Sequence, residues 1–248
     1  MNTKVYIHEF IDIIGQGRAR YMQHMTANWS PIAQVERNQL CFGVWGTVGS
    51  TGRWPEVVNM WEEDGWEGLA RNFAYETGHP SLQDPSLAAW WAEAAKFRRG
   101  GLDRILLPAT WSPTIGELCA AGVRGVFVAH ELVKLRPGTA PRFLDQVGEQ
   151  GIALYGAFDL KLVGAWRTAL RNDSEAILLW AIPSAEAWAA FESASHATPT
   201  DPRIAAWRRA VADFVIDWER TLLVDAPLSP MRTGRQPQPS DRKPLDAI

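Results

Sequence analysis

Apolar and polar positions alternate between residues 5 and 13. Val5, Ile7, Ile11 and Ile13 fall on one side and Tyr6, His8, Phe10 and Asp12 on the other, the two-residue period of a strand. Val126, Val128, His130, Leu132 and Lys134 repeat this alternation in the second half. After each such strand the pattern predicts a Gly-containing turn (Gly15 and Gly17; Pro137-Gly138) and a helix over 19–25 or 140–148. A strand through Trp45 or Trp166 follows, then a polar hairpin loop (49–53; 171–174) and an apolar strand ending at Trp61 or Trp180. A helix through 69–73 or 185–191 comes next. Asp84-Pro85 and Asp201-Pro202 then open a further helix, with Asp as N-cap and Pro in the first turn. Strands through Leu106-Leu107 and Leu222-Leu223 close the halves. The order β-α-β-β-α-(α)-β is the ferredoxin-like plan with one added helix.

The halves also match residue by residue. V-Y-I-H-E-F aligns with F-V-A-H-E-L, setting His8 against His130. D-P-x-x-A-A-W recurs at 84–90 and 201–207, and Arg104, Leu106 and Leu107 match Arg220, Leu222 and Leu223. Each half then reaches a Ser-Pro, Ser112-Pro113 and Ser229-Pro230. The order of landmarks never changes, which predicts a tandem duplication. The expected class is α+β: two ferredoxin-like modules, 1–113 and 126–230, joined by a linker at 114–125. A disordered or wrapping tail is expected at 231–248. The antiparallel sheets would pack into an α/β barrel whose lumen takes the side chains opposite the helices.

Composition narrows the function. With 25 Lys and Arg against 28 Asp and Glu, the net charge of −3 leaves no basic excess for a nucleic acid or an anionic membrane. Two scattered cysteines, Cys41 and Cys119, make neither a disulfide framework nor a zinc site. The N-terminal residues run straight into the first strand without a charged-then-apolar leader, so a cytoplasmic protein is expected. Thirteen tryptophans equal the nine phenylalanines and four tyrosines combined, which suggests cores or pockets walled by flat rings. Phosphate-loop, dinucleotide, nucleophile-elbow and H-E-x-x-H motifs are missing from the sequence.

The chemistry-bearing candidates cluster on the first strand. A lumen-facing His8 can move a proton near neutrality, with Tyr6 and Asp12 on the same face to assist. His130 is its partner in the second half, lacking those companions. Phe10, Trp45, Trp61 and Trp166 are candidate walls around a substrate. Glu62 stands in the acidic run Glu62-Glu63-Asp64, read as a solvated loop or as a contact for a polar substrate group or cation. Tyr21 and His24 share a helix face at i, i+3, open either to solvent or to a pocket. Glu9 and Glu131 point to the helix side, where an arginine or backbone group would satisfy them. His79 and His196, each five residues before a capping Asp, read as loop ties.

These features resemble the NIPSNAP group of the dimeric α/β-barrel superfamily. The residues that carry the resemblance are Pro137-Gly138, Gly43 and Trp45, Trp61, Asp84-Pro85 and the closing run Arg104, Leu106, Leu107, Pro108, Trp111, Ser112 and Pro113. It spans 4–230 as two modules, departing at Gly15-Gln16 and at Glu9 and Glu131, where the family pattern has Pro-Gly and Arg. The resemblance implies a barrel of the kind used by cofactor-free monooxygenases, isomerases, cyclases and haem enzymes such as aldoxime dehydratases. The expectation is therefore a cofactor-independent enzyme acting on a small apolar or aromatic molecule in the lumen. Haem binding through His8, His130 or His24 and non-catalytic ligand binding are the alternatives. No metal or other cofactor is expected, and the working unit would be a monomer or a homodimer.

Overall fold

A computed structural model describes residues 1–195, 198 and 200–242; His196 and the last six residues of the tail lie outside the described residues. Eight strands form: β1 (Val5–Ile13), β2 (Leu40–Thr47), β3 (Glu56–Glu63), β4 (Arg98–Pro108), β5 (Phe127–Leu135), β6 (Lys161–Thr168), β7 (Glu175–Ile182) and β8 (Val215–Asp225). Antiparallel pairing runs β4-β1-β3-β2 in the first half and β8-β5-β7-β6 in the second. Three residue pairs join β2 to β8 and three join β4 to β6, closing the barrel. Two ferredoxin-like modules thus share one barrel, as the hydrophobic pattern predicts. The seams are short: β4 and β8 pair across them only near their C-terminal ends.

Helices cover the outside. In the first module α1 (Arg18–Gln23) runs through a π-helical turn (His24–Trp29) into α2 (Ser30–Arg37), followed by α3 (Gly65–Thr77) and α4 (Ala88–Ala94). The helix α5 (Ile115–Ala120) lies between the modules, with Thr114 and Glu117 forming a reciprocal capping box. In the second module α6 (Ala140–Gln146) passes through a matching π turn (Val147–Gly151) into α7 (Ile152–Gly156), and α8 (Ala185–Ala194) and α9 (Pro202–Val211) complete the layer. Asp84 and Asp201 cap as predicted, accepting from the backbone N–H of Ser86 at 2.9 Å and of Arg203 at 2.7 Å. A short α10 (Pro230–Thr233) follows β8.

Three apolar clusters result. One lies under each module's helices, around Ile11, Trp61 and Trp90 in the first and Tyr155, Trp180 and Trp207 in the second. The third fills much of the lumen with Tyr6, Phe42, Trp45, Val58, Trp166 and Leu179. The Gly-x-Trp pairs belong to this lumen packing. A Cβ added at Gly43 would stand 2.1 Å from the Trp45 ring, and one at Gly164 would stand 2.1 Å from the Trp166 ring. Each indole folds back over the glycine two residues earlier, so only a residue without a side chain leaves room for it.

The Ser-Pro pairs serve the seams. Ser112 Oγ accepts from the Ala165 N–H at 3.0 Å, and Ser229 Oγ accepts from the Val44 N–H at 3.3 Å. Both serines are buried and supply a hydrogen bond where β6 or β2 has run past its three-residue pairing with the other module. Beyond α10, Gln236 pairs through its amide with both backbone groups of Cys41, at 3.0 and 2.8 Å. The described part of the tail therefore lies along the outer edge of β2.

Candidate functional site

The lumen brings His8 and His130 together. Their Nε2 atoms are 2.9 Å apart, both rings are buried, and Phe10 packs edge-on against each. Burial, the facing imidazole and Arg104 hold His8 well below its ordinary pKa. Burial and Arg104 push His130 down to about 3. At neutral pH both rings are uncharged, and one donates its Nε2–H to the other.

Arg104 is a lumen residue that the sequence reading places wrongly. Repeat matching sets it against Arg220, but β4 places it opposite His8, whereas β8 places Thr221 opposite His130 and Arg220 opposite Glu131. The true correspondence is one residue over, and in a strand one residue reverses the face. Arg104 Nε and Nη2 bind Glu175 at 2.6 and 3.2 Å, while its buried Nη1 has no partner among the described residues. A small cavity of about 170 Å³ opens beside it, lined by Phe10, Arg104, His130, Leu132 and Thr221, with Arg53 and Glu56 among its charged residues.

The expected companions of His8 lie elsewhere. Tyr6 donates to Glu62 Oε2 at 3.0 Å and accepts from Asn2 at 2.8 Å; burial and Glu62 hold its phenol far above the usual range. Glu62 also accepts from the Ile115 N–H at the start of α5, at 3.0 Å, so it binds that helix rather than a substrate or a cation. Glu62 and Glu63 are buried, and of the acidic run only Asp64 is exposed, which corrects the solvated-loop reading. Asp12 is ion-paired with Arg53 and does not reach the imidazoles. Trp45 and Trp166 face the lumen as expected, but as packing for it. Trp61 belongs to the opposite face of β3, where its Nε1–H donates to Glu9 at 2.7 Å. Tyr21 and His24 also lie in the helical layer, neither solvated nor at the lumen. Tyr21 accepts from Asn59, and His24 stacks on Trp90 with Nε2 3.2 Å from the Trp90 carbonyl oxygen. Haem does not fit these histidines: two are bonded to each other inside packed walls and the third lies flat against an indole. His79 is 4.0 Å from Asp84, in keeping with a loop tie.

Open space lies instead outside the barrel wall. Between the helix side of β1 and β4 and the helices of the first module is a cavity of about 770 Å³. Trp29, Phe73, Trp91, Ile7 and Ile105 give it apolar walls, and the 168–171 segment of the second module closes one side. Two carboxylates, Glu9 and Asp103, line it and stand directly opposite each other in the strand pairing. Glu9 accepts from Trp61 Nε1 at 2.7 Å and Asn59 Nδ2 at 3.1 Å; burial first, then Asp103, raises its pKa. Burial raises Asp103 as well, with Arg98 opposing. The sequence signal for this site was the pair Glu9 and Glu131 on the helix side. What distinguishes their surroundings, Asp103 against Arg220, depends on strand register.

No protein-family model matches the chain, and no curated protein matches it in sequence. Solved structures match over most of its length. A protein provisionally assigned as a monooxygenase, from Lactobacillus acidophilus NCFM, superposes with a TM-score of 0.59 at 10% identity, covering 96% of this chain and 97% of that one. An anthrone oxidase-like protein gives 0.62 at 12% identity, covering 90% and 92%. A NIPSNAP domain protein from Burkholderia xenovorans covers 40% of this chain with 94% of its own, at 20% identity and a TM-score of 0.34. The two extended likenesses show that this chain shares their fold. No helix among the described residues is long and apolar enough to cross a membrane.

Proposed function

We propose that the chain is a cofactor-independent enzyme acting on a small, largely apolar molecule, bound in the first module's helix-side cavity with Glu9 as the proton-transfer group. The observation that carries this reading is the placement of Glu9. It is a carboxyl with a raised pKa, oriented by two fixed donors, and it lines an aromatic-walled cavity of about 770 Å³. Such a cavity with a few convergent polar groups is the usual form of a small-molecule site. A carboxyl shifted toward neutrality can both take and return a proton. Isomerisation, cyclisation and cofactor-free oxygenation all begin with removal of a proton beside a carbonyl or phenol. Monooxygenase and anthrone oxidase-like proteins sharing the fold agree with that class, although a fold alone does not choose the reaction. We further propose that the halves are copies of one NIPSNAP-like module and that the chain works in a reducing cytoplasm, with Cys41 and Cys119 as free thiols. A single chain closes its own barrel, which makes the monomer the proposed working unit.

A second reading places the chemistry at the His8–His130 pair, because His130 and the unpartnered Arg104 Nη1 border the lumen cavity. Thermal-shift screening of small aromatic and polyketide-like molecules, followed by turnover and oxygen-uptake assays on the hits, separates the two. Glu9→Gln is expected to lower turnover by about 10²–10⁴-fold, the usual worth of a general acid or base. Loss in His130→Gln with Glu9→Gln unaffected would move the site to the lumen. Binding without turnover in any form would make this a ligand-binding protein.

A further inference from the structure

The two modules surround their matched glutamates differently. In the second module Glu131 is fully enclosed. Arg220, directly opposite it, donates through Nε at 2.7 Å and Nη2 at 2.6 Å; Tyr155 donates at 3.0 Å and Trp180 Nε1 at 3.0 Å. Arg220 in turn lies over the face of Phe191, 4.8 Å from the ring centre. A cation within an aromatic surround thus neutralises this carboxylate.

In the first module the indole donor is kept, as Trp61 to Glu9, but two of the other parts are replaced. The residue opposite Glu9 is Asp103, so a negative group stands where the second module has its guanidinium. The strands β1 and β5, the π turns and the helices α2 and α7 correspond at a spacing of 122 residues, which places Ala33 at the position of Tyr155. The cavity lies on this helix side of β1 and β4, and its walls include Trp29, Phe73 and Trp91.

The cations around this cavity are committed to other acids. Arg37 binds Glu76 at 2.7 Å and lies 3.6 Å from Asp84; Arg104 binds Glu175, and Arg171 is 4.0 Å from that same carboxylate. Arg98, whose guanidinium is stacked 4.9 Å over Trp91, influences Glu9 and Asp103 through space, but no ion pair joins it to either among the described residues.

We infer that the ligand of this cavity is a cationic aromatic molecule, an arylalkylamine or arylguanidine. Its charged group occupies between Glu9 and Asp103 the place that Arg220 fills in the second module, and its ring lies among Trp29, Phe73 and Trp91. This names the substrate class for the cavity assigned above and rests on that assignment.

Calorimetric titration of the full chain with phenethylamine, and with 3-phenylpropan-1-ol as an uncharged analogue of similar length, tests the inference. The amine is expected to bind at least about ten-fold more tightly. Asp103→Arg, which supplies the second module's cation at an exposed position, should abolish amine binding while the protein remains folded by circular dichroism. Glu9→Gln should bring the amine and alcohol affinities together. Equal binding of the two probes by the wild type would overturn the cationic ligand and leave the cavity assignment standing. Failure of both probes to bind would overturn the inference and count against the cavity as well. Amine binding that survives Asp103→Arg would show that the charge is held elsewhere.

Discussion

Nε2 of His8 and Nε2 of His130 lie 2.9 Å apart, a hydrogen bond between the first strands of the two modules. Neither ring accepts charge readily: His8 titrates well below the ordinary value of 6.5, and His130 is pushed down to about 3. From pH 6.5 downward the unfolded chain takes up protons that the folded pair refuses. Stability therefore holds above about pH 6.5 and falls as the pH drops toward 3, by up to about 1.4 kcal/mol per pH unit for each ring. Glu9, Glu56 and Glu62 work in the opposite direction, since burial raises each of them and the folded state protonates them first. Comparison with His130→Gln isolates the imidazole contribution. Urea denaturation at pH 7, 5.5 and 4.5 should show a shallower acid loss in the variant; identical slopes would mean that the pair does not control acid stability.

Glu131 and Glu9 should respond in opposite ways to the same isosteric change. Glu131→Gln leaves the largely buried Arg220 without its main counter-charge, and breaking such a pair costs about 3–5 kcal/mol. Among the described residues Glu9 has no ion-pair partner, and its raised pKa means that its charged form weakens the fold at neutral pH. Glu9→Gln should therefore stabilise the protein at pH 7. The gain should fade as the pH falls below 4.5, where the carboxyl is protonated in folded and unfolded chains alike. Urea midpoints at the two pH values check both signs, and destabilisation by Glu9→Gln at pH 7 would contradict the account.

The glycine beneath each lumen tryptophan makes a steric prediction. Gly43→Ala and Gly164→Ala each place a methyl group about 2.1 Å from indole carbons, and neither Trp45 nor Trp166 has free space to move into. Overpacking of this kind costs about 1–3 kcal/mol. Gly156→Ala serves as the control, because its added Cβ would meet nothing within 4 Å. Similar midpoints for all three variants would show that the indoles move aside.

Much of this architecture was legible in the sequence because the governing signals are local. Period-two alternation assigned the faces of β1 and β5, including both histidines and both strand glutamates. The Asp-Pro pairs marked their helix starts through side-chain capping. Repeat matching failed where one residue decides the face: a spacing drawn from Leu106 and Leu222 paired Arg104 with Arg220, which lies on the opposite face. Trp61 was misplaced for a related reason, since a tryptophan ending an apolar run has no alternating pattern to orient it. The helix-side cavity was not legible, because its lining comes from β1, β4, the first module's helices and the 168–171 segment, which are distant in sequence. Composition did not show that the lumen tryptophans would fill space rather than line it.

Ser229 and Gln236 make the last testable claim, about how the barrel keeps its β2 edge. Beyond its short pairing with β8, β2 has backbone groups with no neighbouring strand, and the C-terminal segment satisfies them. Ser229 Oγ takes the Val44 N–H, the Ala226 N–H donates to the Val44 carbonyl at 2.8 Å, and Gln236 answers both polar groups of Cys41. Ser229→Ala removes one buried acceptor and should cost about 1–3 kcal/mol, the penalty of leaving a backbone donor unpaired. Ser112→Ala, which strips the matched bond from Ala165, should cost about the same. Truncation after Gly234 removes Gln236 and uncovers Cys41, whose thiol is otherwise fully buried. The truncated chain should then melt at a lower temperature and label faster with a thiol reagent, with Cys41 identified as the modified residue by mass spectrometry. Unchanged labelling of Cys41 would mean that β2 holds its own edge and that the segment merely lies beside it.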